Sequence, residues 1–227
     1  MRYVTNVVRR AALFDMDRTL LETNTALLYT RYRRDRGEIG WGSMLQVGYW
    51  LLQYSFGVID AQKVALSALK EFSGKEERLL VDNCEAWFQS YVLRHVRDAA
   101  RRTVDAHRRA GDHLAIVTGA TPYATAPLAR ELGIEHIVTS ELEVGSDGRL
   151  TGRPVDPLCY GAGKVERTRV LAQKLGFELA EATFYSDSIT DLPLLEVVGT
   201  PVAVSPDRRL LRVAKQRGWR IEWWTAK

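Results

Sequence analysis

Cysteine and proline are scarce in this chain, and no block of one charge stands out. Its two cysteines, Cys84 and Cys159, match neither a disulfide framework nor a Cys-x-x-Cys metal or redox pair. A reducing, cytoplasmic setting is therefore expected. With seven prolines and 17 glycines in 227 residues, collagen-like and low-complexity classes are excluded. The balance of 32 basic against 28 acidic residues leaves a net charge of only +4, weak evidence for an anionic substrate. Zinc-finger spacing, an aromatic RNA-recognition motif and a concentrated basic arm are all missing, so nucleic acid is not expected as a partner. The arginines at 31–36, 101–109 and 208–220 recur mostly at helical spacing and read as solvated helix faces. The first ten residues lack the apolar run and small-residue cleavage site of a secretory leader and are read as mature protein.

What is present suits one substantial α/β domain carrying an insertion, with 46% hydrophobic and 26% charged residues. Short apolar runs at 11–14, 113–118, 136–139, 183–186 and 202–204 are each followed by small or polar residues. Helix-patterned segments at 97–110, 122–132, 164–175 and 206–217 separate the later ones. That alternation predicts an open, mostly parallel sheet with ligands beyond the carboxyl ends of its strands. Between 21 and about 97 it gives way to Leu, Trp, Tyr and Ala at helical intervals, the pattern of a helical insertion. Residues 141–153 alternate around Ser-Asp-Gly and suggest a hairpin or flap, and 220–224 an edge strand.

The stretch 41–59 carries no charge and approaches membrane-spanning length. Gly42, Ser43, Gln46, Gly48, Gln53, Ser55 and Gly57 interrupt it, whereas a spanning helix wants about 20 predominantly apolar residues. A buried helix pair is the favoured reading; a surface for an apolar substrate or a membrane is the alternative. Trp41, Tyr49, Trp50, Tyr54, Trp87 and Tyr91 make the insertion aromatic, and most are expected in its core.

Asp15 and Asp17 end the first apolar run. Two carboxylates so close repel each other and resist burial, so something must stabilise them, and a divalent cation with hard oxygen ligands would. Thr118 and Gly119 close the second run with a hydroxyl and an unencumbered amide suited to a phosphate oxygen. Lys164, after Gly161-Ala162-Gly163, places a lone cation at a helix start. Asp187 and Asp191 close a further run with two more acids. Each residue also has a purely structural reading: Thr118 as a helix cap, Lys164 as a solvated helix residue, the late acids as first-turn residues favoured by the helix dipole.

Taken in order at predicted strand ends, these residues resemble the four motifs of the haloacid dehalogenase superfamily. The resemblance covers about residues 8–20 and 97–224. The Asp-x-Asp-x-Thr form and the closing Ser-Asp-Ser-Ile-Thr-Asp-Leu-Pro resemble its phosphoserine-phosphatase-like branch. It implies a Rossmann-like parallel-sheet core (1–20 and 97–227) with a helical cap (21–96) inserted after the first strand. It also implies a phosphatase acting on a small phosphorylated metabolite. Asp15 would be the nucleophile and Asp17 the acid and base. Mg²⁺ would be held by Asp15, the main-chain carbonyl of Asp17, and Asp187, with Asp191 in support. Thr118, Gly119 and Lys164 would bind phosphate. A shared site that pushes the pKa values of Asp15 and Asp17 apart would suit those roles. A lipid-phosphate phosphatase at a membrane surface and a phosphate-binding regulator without turnover are the alternatives. Asn24 stands where phosphoserine phosphatases carry a Glu for the substrate ammonium, which counts against phosphoserine. Arg18, beside the second acid, is expected to face solvent.

Overall fold

A computed structural model describes residues 10–42, 49 and 70–224 of the chain. The first nine residues, Trp50, Tyr54 and most of the uncharged stretch 41–59 lie outside the described residues. Six parallel strands form the main sheet: β1 (Ala11–Phe14), β2 (His113–Val117), β3 (His136–Val138), β6 (Ala182–Ser186), β7 (Thr200–Val204) and β8 (Arg220–Glu222), in the order β3-β2-β1-β6-β7-β8. β4 (Leu142–Val144) and β5 (Leu150–Pro154) make a separate antiparallel hairpin, the flap expected at 141–153. The expected edge strand is β8.

The strands read as continuous apolar runs because both faces of the sheet are covered. Side chains alternate across it: Ala12 and Phe14 join one buried cluster with Ile116, Tyr185 and Val202, while Ala11 and Leu13 join another with Val117, Phe184 and Ala203. Helices α3 (Asp98–Ala110), α4 (Pro122–Leu132), α5 (Gly161–Leu175), the short α6 (Leu192–Leu195) and α7 (Arg208–Arg217) fill the connections. In α3, Ala100 and Val104 point inward one turn apart, Arg102, Arg108 and Arg109 are exposed, and the His107 ring packs edge-on against Phe14 with Nε2 2.8 Å from the Tyr185 hydroxyl. The α3 helix stops at Gly111, whose φ of +79° closes the last turn. Asp207 caps α7 through its carboxylate, which accepts from the Arg209 and Leu210 amides at 2.8 Å.

Of the insertion, α1 (Thr25–Asp35) and α2 (Glu77–Trp87) are described. An antiparallel bridge between Leu21 and Val96 joins the two chain crossings. Glu22 N–H donates to His95 O at 2.9 Å, and Arg97 N–H to Leu20 O at 3.0 Å. Trp87 is buried and Tyr91 packs edge-on to Tyr32, as expected of core aromatics in the insertion. Trp41 and Tyr49 are not core residues: they are 70% and 58% exposed, and the Arg34 guanidinium lies 4.6 Å from the Trp41 ring. Their spacing is helical, yet a ring covered by a cation is stable at the surface. Among the described residues, no helix is long and apolar enough to cross a membrane.

Candidate active site

Because all six strands run the same way, their carboxyl ends open onto one crevice, and the chain reverses direction across the sheet beside β1. Asp15 follows β1, Thr118 follows β2 and Asp187 follows β6, so three sequence-distant segments converge there. Asp15 is fixed in the ladder by its N–H, which donates to Tyr185 O at 2.9 Å.

Lys164 joins the acids. It is 2% exposed, and its Nζ donates to Asp15 Oδ1 at 3.0 Å and contacts Asp191 Oδ1 at 2.7 Å. Burial opposes its charge, but the two carboxylates outweigh that and raise its pKa, so it stays an ammonium. The Lys164 turn packs tightly because residue 163 is glycine: a β-carbon there would overlap the Leu158 carbonyl oxygen. Asp191 is held on its other oxygen by Ser186 Oγ at 2.7 Å.

Asp17 is held from the start of α1. The Thr25 N–H donates to its Oδ1 at 2.9 Å, and Thr25 Oγ1 and Asn24 Nδ2 each lie 3.1 Å from Oδ2. Asn24 also caps α1, its side-chain oxygen accepting from Ala26 N–H. Its amide is therefore committed to the acid and the helix. Arg18, next in the chain after Asp17, adopts a left-handed φ of +59°. Over half its side chain is exposed, as expected, yet Nε comes within 3.6 Å of Asp187 Oδ2. Arg97, buried, donates to the carbonyls of Arg18 and Leu21 at 3.3 Å and to that of Trp224.

The purely structural readings fail for Thr118 and Lys164, whereas Asp191 does stand in the first turn of a short 3₁₀ helix, Ile189–Asp191. Thr121, not Thr118, occupies the cap position of α4, and Thr118 Oγ1 accepts from Ala120 N–H at 3.2 Å, leaving its own proton to donate. Lys164 is not solvated. Asp191, though at the cap position of α6, makes no cap bond. Gly119 is more encumbered than expected, because a β-carbon there would collide with the Tyr160 ring.

Burial raises the pKa of Asp15 to about 7, with Lys164 opposing, and that of Asp17 to about 6, with the Thr25 bonds opposing. Both acids move in the same direction, and Asp15 further. The protein alone therefore does not order them as an ionised nucleophile beside a protonated acid, because desolvation acts on both. Asp187 is raised well above the carboxylate range, first by burial and then by repulsion from Asp15.

The donor set suits a hard divalent cation. Asp15 and Asp187 are 8% and 5% exposed, repel each other, and have Lys164 and the half-exposed Arg18 as their ion-pair partners among the described residues. No group of three or more acidic, histidine or cysteine side chains forms a closed cage among those residues. Two carboxylates, a carbonyl and waters are what Mg²⁺ commonly takes, since it gives up water reluctantly.

Parallel sheet, paired acids after β1, lysine at the start of α5 and acids after β6 together define a haloacid dehalogenase-like hydrolase. The model of that family matches residues 12–196, and the chain belongs to it. Among its relatives, the histidinol-phosphatase of Neisseria meningitidis is 31% identical over 221 residues, covering 94% of this chain and 98% of that protein. A phosphoserine phosphatase of Mycobacterium tuberculosis is 34% identical over 218 residues, covering 93% of this chain and 70% of the relative. A Bordetella pertussis structure of unknown function superposes with a TM-score of 0.84 at 31% identity, over 95% of this chain and 99% of that one. A phosphoserine phosphatase captured as a phospho-aspartyl intermediate analogue shares the fold, with a TM-score of 0.72 at 18% identity over 97% and 95% of the two chains.

The sequence reading missed three features. Asn24 and Thr25 hold Asp17, Arg97 supports the Arg18 turn, and Tyr160 covers Gly119. Only Asn24-Thr25 carried a local signal, the polar pair that opens a helix.

Proposed function

We propose that the chain hydrolyses a small phosphomonoester through a covalent phosphate on Asp15, with 21–96 acting as cap and 1–20 with 97–227 as core. The observation that carries this is the division of labour between two neighbouring acids. Asp15 is held by the buried Lys164, and Asp17 by donors from the start of α1. One oxygen of Asp15 attacks phosphorus as the bond to the leaving oxygen breaks, and Asp17 gives that oxygen its proton. Water then attacks the aspartyl phosphate, Asp17 takes the water proton, and inorganic phosphate leaves with the Asp15 carboxylate restored. Thr118, the Gly119 amide and Lys164 supply donors for the equatorial oxygens, where positioning and charge stabilisation supply most of the catalysis.

Asp15, Asp187 and the main-chain carbonyl of Asp17 would hold Mg²⁺. The Asp17 carboxylate is engaged with α1, which leaves its carbonyl for the metal. When bound, the cation offsets charge on the transferring phosphoryl group and keeps Asp15 ionised. Phosphoserine is disfavoured as substrate, since Asn24 offers no charge for an ammonium and is already bonded to Asp17 and Ala26.

The test is phosphate release from a panel including histidinol phosphate, phosphoserine and a lysophosphatidate, with Mg²⁺ or EDTA. One ester hydrolysed far faster than the rest, only with metal, is the expected result. Equal hydrolysis in EDTA would remove the metal from the account, and no release from any ester would favour a phosphate-binding role without turnover.

A further inference from the structure

Tyr160 stands immediately before α5, where Ser, Thr, Asp or Asn usually caps a helix, and makes no capping bond. Its main chain starts the lysine turn: the Tyr160 carbonyl accepts from Gly163 N–H at 3.0 Å and Lys164 N–H at 3.4 Å. Its ring lies against Gly119, where an added β-carbon would overlap Cζ and Cε1 and come 2.7 Å from the hydroxyl oxygen. The same side chain packs on an apolar cluster of Leu80 and Cys84 from α2, Leu142 and Leu150 from the hairpin, and Leu158.

That cluster is braced. The segment leading into α2 adds to the hairpin through Gly74 N–H to Leu150 O at 2.8 Å, Leu150 N–H to Lys75 O at 2.9 Å and Glu77 N–H to Gly148 O at 3.0 Å. Arg149 pairs with Glu76 at 2.8 Å. The chemistry proposed above needs no aromatic side chain at residue 160, and a planar ring wedged between this braced cluster and a glycine has a steric consequence. It limits how closely the Thr118-Gly119 turn can approach the start of α5, which carries Lys164.

We infer that Tyr160 is a positioning residue for the phosphate-binding turn, its ring clamping Gly119 beneath the joint between α2 and the hairpin, and that residue 119 is glycine because this ring occupies the space of a β-carbon. The inference rests on the reading of Thr118 and Gly119 as phosphate donors. Tyr160 acts through that turn and carries no proton in the reaction.

The experiment measures kcat, KM and competitive inhibition by inorganic phosphate for the Mg²⁺-loaded full chain. The variants are Tyr160→Ala, Tyr160→Phe, Gly119→Ala and the Gly119→Ala variant combined with each Tyr160 change. Tyr160→Ala is expected to weaken phosphate binding and raise KM by roughly tenfold with a smaller fall in kcat, and Tyr160→Phe, which keeps the ring, to restore both. Gly119→Ala should lose more than Tyr160→Ala does, because the ring then collides with the new β-carbon. Adding Tyr160→Ala should bring that loss back to the level of Tyr160→Ala alone, whereas adding Tyr160→Phe should recover none. Should Tyr160→Ala fail to fold by circular dichroism, Tyr160→Leu takes its place, filling the apolar cluster without a ring over Gly119. Phosphate inhibition and KM within about twofold of wild type in the ring-less variant would overturn the inference alone. So would a double variant no better than Gly119→Ala. A wild-type chain that neither binds nor releases phosphate would overturn the underlying reading as well.

Discussion

Asp15 and Asp17 are two residues apart, yet different parts of the molecule hold them. Asp15 belongs to the sheet: its amide is in the ladder to β6, and its carboxylate meets Lys164 from α5, itself tied to Asp191 and Ser186. Asp17 is held instead by α1, since the hydrogen bonds to its carboxylate come from Asn24 and Thr25 at the start of that helix. The difference teaches how one short segment can serve two steps. In the proposed mechanism the attacking carboxylate would need a fixed place beside a cation, and the proton carrier a place set by the element proposed to cover the substrate.

The comparison breaks most visibly at Asp15. Asp15→Asn keeps size and polarity but cannot attack phosphorus, and turnover should fall by on the order of 10⁴-fold or more with the melting transition retained. Normal phosphate release from that variant would take Asp15 out of the nucleophile role.

Lys164→Met should be the most damaging change to stability. Lys164 is buried between two carboxylates, and removing one partner of a buried ionic group costs about 3–5 kcal/mol because the remaining charge has no compensation. Urea unfolding without metal checks this, and a loss below about 1 kcal/mol would mean that water reaches the site.

At the start of α1 the effects should be smaller. Thr25→Val removes the hydroxyl bond to Asp17 but leaves the backbone one, so kcat should fall by about 3- to 10-fold, the equivalent of one hydrogen bond of roughly 1 kcal/mol. Asn24→Ala removes the α1 cap together with a bond to Asp17 and should cost about 1 kcal/mol of stability. If either variant were as damaging as Lys164→Met, the contrast between the acid held by Lys164 and the acid held by α1 would collapse. Trp41→Ser, at an exposed ring remote from both acids in the sequence, should change stability by less than about 0.5 kcal/mol.

Much of the core was legible because its signals are local. The buried parallel strands read as apolar runs, Asp15, Thr118 and Asp187 follow those runs directly, and Lys164 follows a glycine-rich turn at a helix start. Helix starts were less legible. The turn carrying Lys164 begins at Gly161, and α7 begins at Arg208 after the Asp207 cap, two residues beyond the expected 206, because caps and tight glycine turns set boundaries that periodicity does not. Arg97 was illegible. It falls in an arginine-rich sequence, and only the fold places its guanidinium among three carbonyls beneath the Arg18 turn. Tyr160 is similar, since its partner Gly119 is 41 residues away and the steric exclusion between them has no sequence pattern. The direction of the Asp15 and Asp17 shifts was illegible too, because desolvation depends on what packs around each carboxylate.

The most direct test of the account is rapid acid quench of the Mg²⁺-loaded chain turning over a substrate labelled in its phosphoryl group, followed by peptide mapping. The account predicts label on the peptide containing Asp15 in the wild type and in Thr25→Val, and none in Asp15→Asn. Label on any other residue, or rapid turnover with no labelled peptide at any quench time, would contradict it.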